Sequence, residues 1–124
     1  MATPKEIIRD IYYPRLFDGG ELWVADEIIA PEFFNNRHPT WPRGPEGIKK
    51  VVRSLHKKYD GAFHALHTEI LLQVAEGNVV STLTRQTGKG DEDIHLAELQ
   101  SHFHIFNDAQ LIVEHRVVYM PLPQ

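Results

Sequence analysis

The sequence predicts an α+β fold: three N-terminal helices covering one face of a curved, cone-shaped antiparallel sheet. Two observations predict it. Apolar residues recur at helical spacing up to about Tyr59, and from Phe63 onward the period changes to strand-like alternation broken by hairpin turns. Helices first and a meander of long strands second is an α+β order, and a curved sheet closed by helices leaves a cavity suited to a small molecule. At 124 residues, with no linker, repeat or low-complexity tract, the chain reads as one domain, residues 1–124.

Each element has its own signal. Thr3-Pro4-Lys5-Glu6 is a helix start: Thr3 caps, Pro4 takes the first helical position and Glu6 completes a capping box. Ile7, Ile8, Ile11 and Tyr12 form one stripe, and Pro14 is expected to kink or end the helix. After the break Asp18-Gly19-Gly20, a short second helix is expected from about Glu21 to Ala30, anchored by Leu22, Trp23, Ile28 and Ile29 and stopped by Pro31. Glu32 to Gly44 holds prolines and no helical period, so it reads as a loop. Pro45 opens a third helix, to about Tyr59, with Ile48, Val51, Val52, Leu55 and Tyr59 inward. Lys49-Lys50 and Lys57-Lys58 read as a solvated face, and Asp60-Gly61 ends the helix. Strands follow over Phe63–Ala75, Asn78–Thr87, Ile94–Phe106 and Leu111–Met120. The turns are Glu76-Gly77-Asn78, a longer loop over Gly88–Asp93, and Asn107-Asp108-Ala109-Gln110.

Composition narrows the function classes. Thirteen Lys and Arg against 17 Asp and Glu give a formal net charge of −4, which argues against a nucleic-acid partner. Cysteine is absent, excluding disulfides, thiolate catalysis and zinc–thiolate sites. No apolar run approaches the roughly 20 residues needed to span a bilayer, and the N-terminus does not read as a signal peptide, so no membrane partner and a cytoplasmic protein are expected. Phosphate-binding glycine loops and a serine nucleophile elbow are missing, leaving nucleotide chemistry without support. Eight histidines are the unusual entry in the composition.

Three stretches carry a family resemblance. They are Arg37-His38-Pro39 followed by Gly44-Pro45-Glu46-Gly47, the hairpin Ala75-Glu76-Gly77-Asn78-Val79-Val80, and Ile112-Val113-Glu114-His115-Arg116-Val117-Val118 with the tail Pro121-Leu122-Pro123. In order and spacing the chain resembles the nuclear-transport-factor-2-like superfamily, and within it the SnoaL-like polyketide cyclases and aldol-condensation-type proteins. The resemblance implies the cone-shaped α+β fold, a small-molecule substrate or ligand, no cofactor and a homodimer. It also implies cyclase chemistry by a pocket carboxylate and a histidine, but the family's Trp-Asp pair stands here as Arg116-Val117, and its His before Asn-Pro stands as Arg37 beside His38. The family includes isomerases, dehydratases and non-catalytic members, and fold does not choose among them.

Alternation places Glu98, Gln100, His102 and His104 on one strand face, and Val113, His115, Val117 and Tyr119 on one face of the last strand. By the resemblance, His102 falls near a position where the family keeps a pocket aspartate, and Val117 takes the place of the lost one. His102, His104 and His115 are therefore expected to converge as proton-transfer groups, since imidazole titrates near neutrality and burial favours its neutral form. Arg37 or Arg116 is the candidate positive charge for an enolate or carboxylate. His38, Trp41, Tyr13, Tyr119, Val117 and Gln100 are the candidate substrate-binding residues, with Trp41 as lid or lining and Tyr119 polarising or orienting the substrate.

Blander readings stand beside these. The histidines also fit solvated or hydrogen-bonded wall positions, Trp41 a cover for the helix layer, and Tyr12, Phe17 and Trp23 core packing. His64, His67 and His95 read as surface residues and His56 as the edge of a buried stripe. His102-x-His104 permits metal binding completed by His115, His38 or Glu98, although the nearest family is not generally metal-dependent and no metal is assigned. The leading expectation is a cofactor-free acid-base enzyme of cyclase, isomerase or dehydratase type acting on an apolar, oxygenated molecule. The alternative is a non-catalytic ligand-binding or dimerisation module.

Overall fold

The computed structural model describes residues 2–58, 66–89 and 95–121. Tyr59, Asp60-Gly61, Phe63, His64, Gly90–Asp93, Ile94 and the tail Leu122-Pro123 lie outside them, as do the side chains of His95 and Tyr119. Helix α1 (Pro4–Ile7) opens with the expected capping box: Thr3 Oγ1 accepts from the Glu6 amide at 3.2 Å, and Glu6 accepts from the Thr3 amide at 3.0 Å. Pro14 does not end the helix there. The chain continues as a π-helix over Ile8–Asp18, closed by the Gly19 amide on the Pro14 carbonyl at 3.0 Å. The wider winding buries Ile8, Tyr12, Tyr13, Leu16 and Phe17, a spacing of four to five residues. It therefore turns Tyr13 inward beside Tyr12, away from the position an α-helical stripe predicts.

The second helix is shorter than expected. A 3₁₀ turn (Leu22–Val24) leads into α2 (Ala25–Ile28), and Ile29 begins a strand. Trp23 is not a core anchor: it is 53% exposed, with the Arg15 guanidinium over its ring, while Val24 and Ala25 point inward. The expected loop from Glu32 is also corrected, since β1 (Ile29–Asn35) occupies its start. Pro31 disguises this strand, but it sits in an edge strand, at a break in register where no ladder amide is needed.

Helix α3 (Pro45–Lys58) then packs beside β1 with Ile48 and Val52 buried. Lys49 is mostly covered and ion-paired with Asp26 and Glu46, so this part of the lysine face is not simply solvated. The strands β2 (Leu66–Glu76), β3 (Val79–Lys89), β4 (His95–Phe106) and β5 (Ile112–Pro121) form the expected meander. The sheet is mixed rather than purely antiparallel: its order is β1-β5-β4-β3-β2, and β1 runs parallel to β5. The result is the expected α+β cone, with helices over one face of a curved five-stranded sheet.

The register explains why the concave face is polar. Val80, His104 and His115 form one cross-strand row, and Thr82, His102 and Val117 the next. Ile70, Thr84 and Gln100 follow, then Thr68, Gln86 and Glu98. Apolar core fills one end, around Val80, Phe106, Ile112, Tyr12 and Ile8, and the polar rows fill the other.

Candidate active site

A cavity of about 370 Å³ lies between the π-helix, α3 and the polar rows of the sheet. Tyr12, Tyr13, Phe17, Trp41, Ile48, Val51, Leu55 and Val117 give it apolar walls; Asn35, Arg37, His38, Ser54, Gln86, Glu98, Gln100, His102 and His115 give it polar ones. Of the residues singled out in the sequence, Arg37, His38, Trp41, Tyr13, Val117, Gln100, His102 and His115 therefore reach the cavity. Tyr119 is paired with Gln100 in the ladder. His104 is fully buried behind the lining: its ring stacks on His115 at 4.4 Å and meets Tyr12 edge-on at 4.5 Å. It touches the candidate chemistry through His115 rather than from the cavity wall.

His102 and His115 form a direct pair. They come from adjacent strands, offset by one inward position, which brings long side chains within diagonal reach. His102 Nδ1 lies 2.8 Å from His115 Nε2, and the rings are near-parallel, 11° apart. His102 Nε2 lies 2.7 Å from Gln100 Oε1. The carbonyl oxygen accepts, so His102 donates from Nε2 and accepts at Nδ1 when neutral.

Burial holds all three clustered histidines neutral. It is the leading cause that places His102 and His104 well below the ordinary imidazole range and takes His115 from 6.5 to about 4. The Arg37 charge pushes His102 and His115 in the same direction, and repulsion from His115 adds to it at His102 and His104. Neither ring nitrogen of His102 is bonded to a carboxylate: its partners are His115 and Gln100. Glu98 lines the cavity but binds the Gln100 amide at 3.0 Å.

At the mouth, the His38 and Trp41 rings stack at 3.7 Å and 8°, and Lys50 Nζ lies 4.6 Å over the Trp41 ring. The Trp41 ring is thus braced before a ligand arrives. The strand-to-helix passage that presents this loop depends on Gly44 and Gly47. Gly44 has a φ of 75°, and a Cβ there would lie 2.9 Å from the Pro31 carbonyl; a Cβ on Gly47 would lie 2.2 Å from that of Pro42.

Apart from Tyr13, the other residues at this wall carried little signal in the sequence. Tyr12 and Tyr13 are buried with hydroxyls that have no partner among the described residues, and burial raises both phenols so that they stay protonated donors. Thr82 and Thr84 hydroxyls are likewise unpartnered there. Gln86 and Asp18 belong to a hydrogen-bond chain leading away from His102, through Thr68. Strand alternation marks Gln86 as inward only once β3 is registered against β4. Asp18 reads in sequence as part of a helix-ending break. His56 is buried against the Phe17 carbonyl, and His67 is exposed near Asp18. Among the described residues no group of three His, Cys, Asp or Glu is arranged to hold a metal ion.

No protein-family model matches the sequence, and no curated protein matches it. Solved structures do. A SnoaL-like polyketide cyclase from Agrobacterium tumefaciens superposes with a TM-score of 0.77 at 12% identity, over 97% of this chain and 93% of that one. IdmH from Streptomyces antibioticus gives 0.73 at 20% identity, over 95% and 92%. TsrD from Streptomyces laurentii gives 0.71 at 17%, over 85% and 80%. At these identities the likeness establishes the SnoaL-like fold and leaves the chemistry to the residues in the cavity.

Proposed function

We propose that the protein is a small-molecule enzyme of cyclase, isomerase or dehydratase type that uses acid-base chemistry without a cofactor. The observation that carries this reading is the neutral His102–His115 pair in the wall of a largely apolar cavity, beside Arg37. The substrate class is an apolar, oxygenated compound with an acidic carbon next to a carbonyl. The SnoaL-like fold, shared with a polyketide cyclase, supports the same class.

The step is proton abstraction. His115 takes the proton from the carbon, the C–H electron pair moves into the carbonyl, and the enolate oxygen takes the negative charge. Arg37, which lines the same cavity, is the group assigned to hold that charge. Because Arg37 also helps depress the His115 pKa, pairing it with an enolate restores basicity to the imidazole as the charge develops. In a cyclisation the enolate carbon then attacks a second carbonyl, and the proton returns from His115 to the new alkoxide. Loss of water from that product gives the dehydratase outcome. Tyr13, Val117 and the His38–Trp41 stack shape the cavity around an apolar body, and Gln100 orients His102. His104, stacked beneath His115, fixes its ring plane.

The test is turnover of a panel of linear polyketo esters by wild type, His102→Phe and His115→Phe. Loss of a general base costs about 10²- to 10⁴-fold in rate. That loss is expected for His115→Phe, with a smaller one for His102→Phe. Unchanged turnover in both variants removes the pair from the mechanism, and no turnover by wild type at any pH makes the cavity a binding site.

A further inference from the structure

The hydrogen bonds behind the histidines run diagonally across the concave face and have one polarity. His102 Nε2 donates to Gln100 Oε1 at 2.7 Å, and Gln100 Nε2 donates to Gln86 Oε1 at 3.0 Å. Gln86 Nε2 donates to Thr68 Oγ1 at 3.1 Å, and Thr68 Oγ1 donates to Asp18 Oδ1 at 2.8 Å. Two carboxylates close the chain. Asp18 also accepts the Thr68 backbone amide at 2.8 Å, and Glu98 accepts the Gln100 amide at 3.0 Å.

We propose that Asp18 and Glu98, acting through Thr68, Gln86 and Gln100, are positioning residues that lock the tautomers of the histidine pair and leave His115 Nδ1 as the proton-accepting nitrogen. An ionised carboxylate only accepts, so each end of the chain can be met only by a donor. Reversing the Gln100 amide would turn its carbonyl oxygen toward two acceptors, the Glu98 carboxylate and Gln86 Oε1. With the amide fixed, His102 must donate from Nε2 and accept at Nδ1. His115 Nε2 must then donate to His102, and the lone pair of a neutral His115 falls on Nδ1. That atom has no hydrogen-bond partner among the described residues, and His115 lines the cavity. No member of the chain other than the pair itself receives the substrate proton. Sequence separates the anchor from the base by almost the whole chain, and the β2–β3–β4–β5 register brings them into line.

This deepens the acid-base reading and rests on it for its purpose, but the lock is a property of the resting protein and is measurable without substrate. The experiment is long-range ¹H–¹⁵N correlation of ¹⁵N-histidine-labelled full chain at pH 7.5. Wild type is expected to show His102 and His115 each as a single Nε2–H tautomer. The double variant Asp18→Asn/Glu98→Gln keeps the shapes and replaces both acceptor-only ends with amides; it is expected to show mixed tautomers at both histidines. Gln86→Glu keeps an acceptor facing Gln100 and is expected to retain the single tautomers, which a purely structural role for the chain does not predict. Should the double variant fail to fold, Gln100→Met cuts the chain at its midpoint and is read in the same way. A wild-type His115 protonated on Nδ1, or single Nε2–H tautomers persisting in the severed variants, overturns the proposal. Turnover separates the two readings: locked tautomers in a protein without turnover uphold the lock and remove catalysis, whereas turnover with freely mixing tautomers removes the lock alone.

Discussion

At the scale of single residues, neutrality of the buried imidazoles sets the pH behaviour. A base works when unprotonated, so kcat/KM is expected to hold from pH 8 down through 6.5 and to fall only as pH approaches about 4, the value to which burial takes His115. An inflection near 6.5 would mean a solvated histidine is the base. Folding stability follows the same groups. In the native state His102, His104 and His115 bind protons below their ordinary range, so beneath about pH 6.5 the unfolded chain takes up more protons than the native one. Stability therefore declines as pH falls from 6.5 toward 4. Asp18 acts in the opposite sense: its carboxyl is raised above 3.8, mainly by burial, so its contribution is lost as pH rises through the window just above that value. Urea midpoints at pH 7.5 and pH 5 check the first effect; equal midpoints would contradict it. Alternation grouped Glu98, Gln100, His102 and His104 on one face, and the family resemblance, not the alternation, pointed that face toward the pocket. Neither showed that His104 stops short of the cavity, since depth depends on Tyr12 and the winding of a distant helix.

At the scale of elements, the local signals that held are the ones with short-range causes. The Thr3–Glu6 capping box and the turns at Gly77 and Asn107–Gln110 lie where local chemistry put them. The misread elements have long-range causes. β1 exists because β5 offers it an edge, and Pro31 is tolerated only because the register breaks there. Pro14 is likewise carried inside a π-helix packed on the sheet. The Gly44-Pro45-Glu46-Gly47 stretch now has a physical reason, a close passage of the chain against Pro31 and Pro42. Gly44→Ala places a side chain at positive φ and against a backbone carbonyl. It is expected to destabilise the protein by about 1–3 kcal/mol and to disturb the His38–Trp41 mouth. Thermal melts and ligand-free Trp41 fluorescence test this; an unchanged melting curve would contradict it.

At the scale of the whole molecule, the convex face of the sheet carries the second apolar surface. Leu72, Val74, Phe103, Val118 and Met120 are exposed there, Val118 to 70%. Register places Val74, Ser81 and Phe103 in one row and Leu72, Leu83, Ser101 and Val118 in the next. A second copy of the chain is the partner we propose for this face, because large contiguous apolar patches on a folded chain mark association sites. Native mass spectrometry is expected to show a dimer for wild type and a monomer for Val118→Glu/Phe103→Glu; a monomeric wild type would contradict it. Among the described residues no helix is long and apolar enough to cross a membrane. The cone itself was legible because its two halves have different hydrophobic periods. The cavity's contents were legible only in part, because a histidine pair, its amide relay and its anchor come together through the registered sheet rather than through sequence spacing.

The central claim is that a neutral imidazole in this cavity removes a proton from carbon. The most direct measurement is deuterium incorporation next to the carbonyl of a linear polyketo ester in D₂O at neutral pD, followed by mass spectrometry for wild type and His115→Phe. Wild type is expected to accelerate the exchange well above the buffer rate and His115→Phe to return it to within a few-fold of buffer. Equal exchange by the two proteins, with the cavity occupied by the ester, would contradict the account.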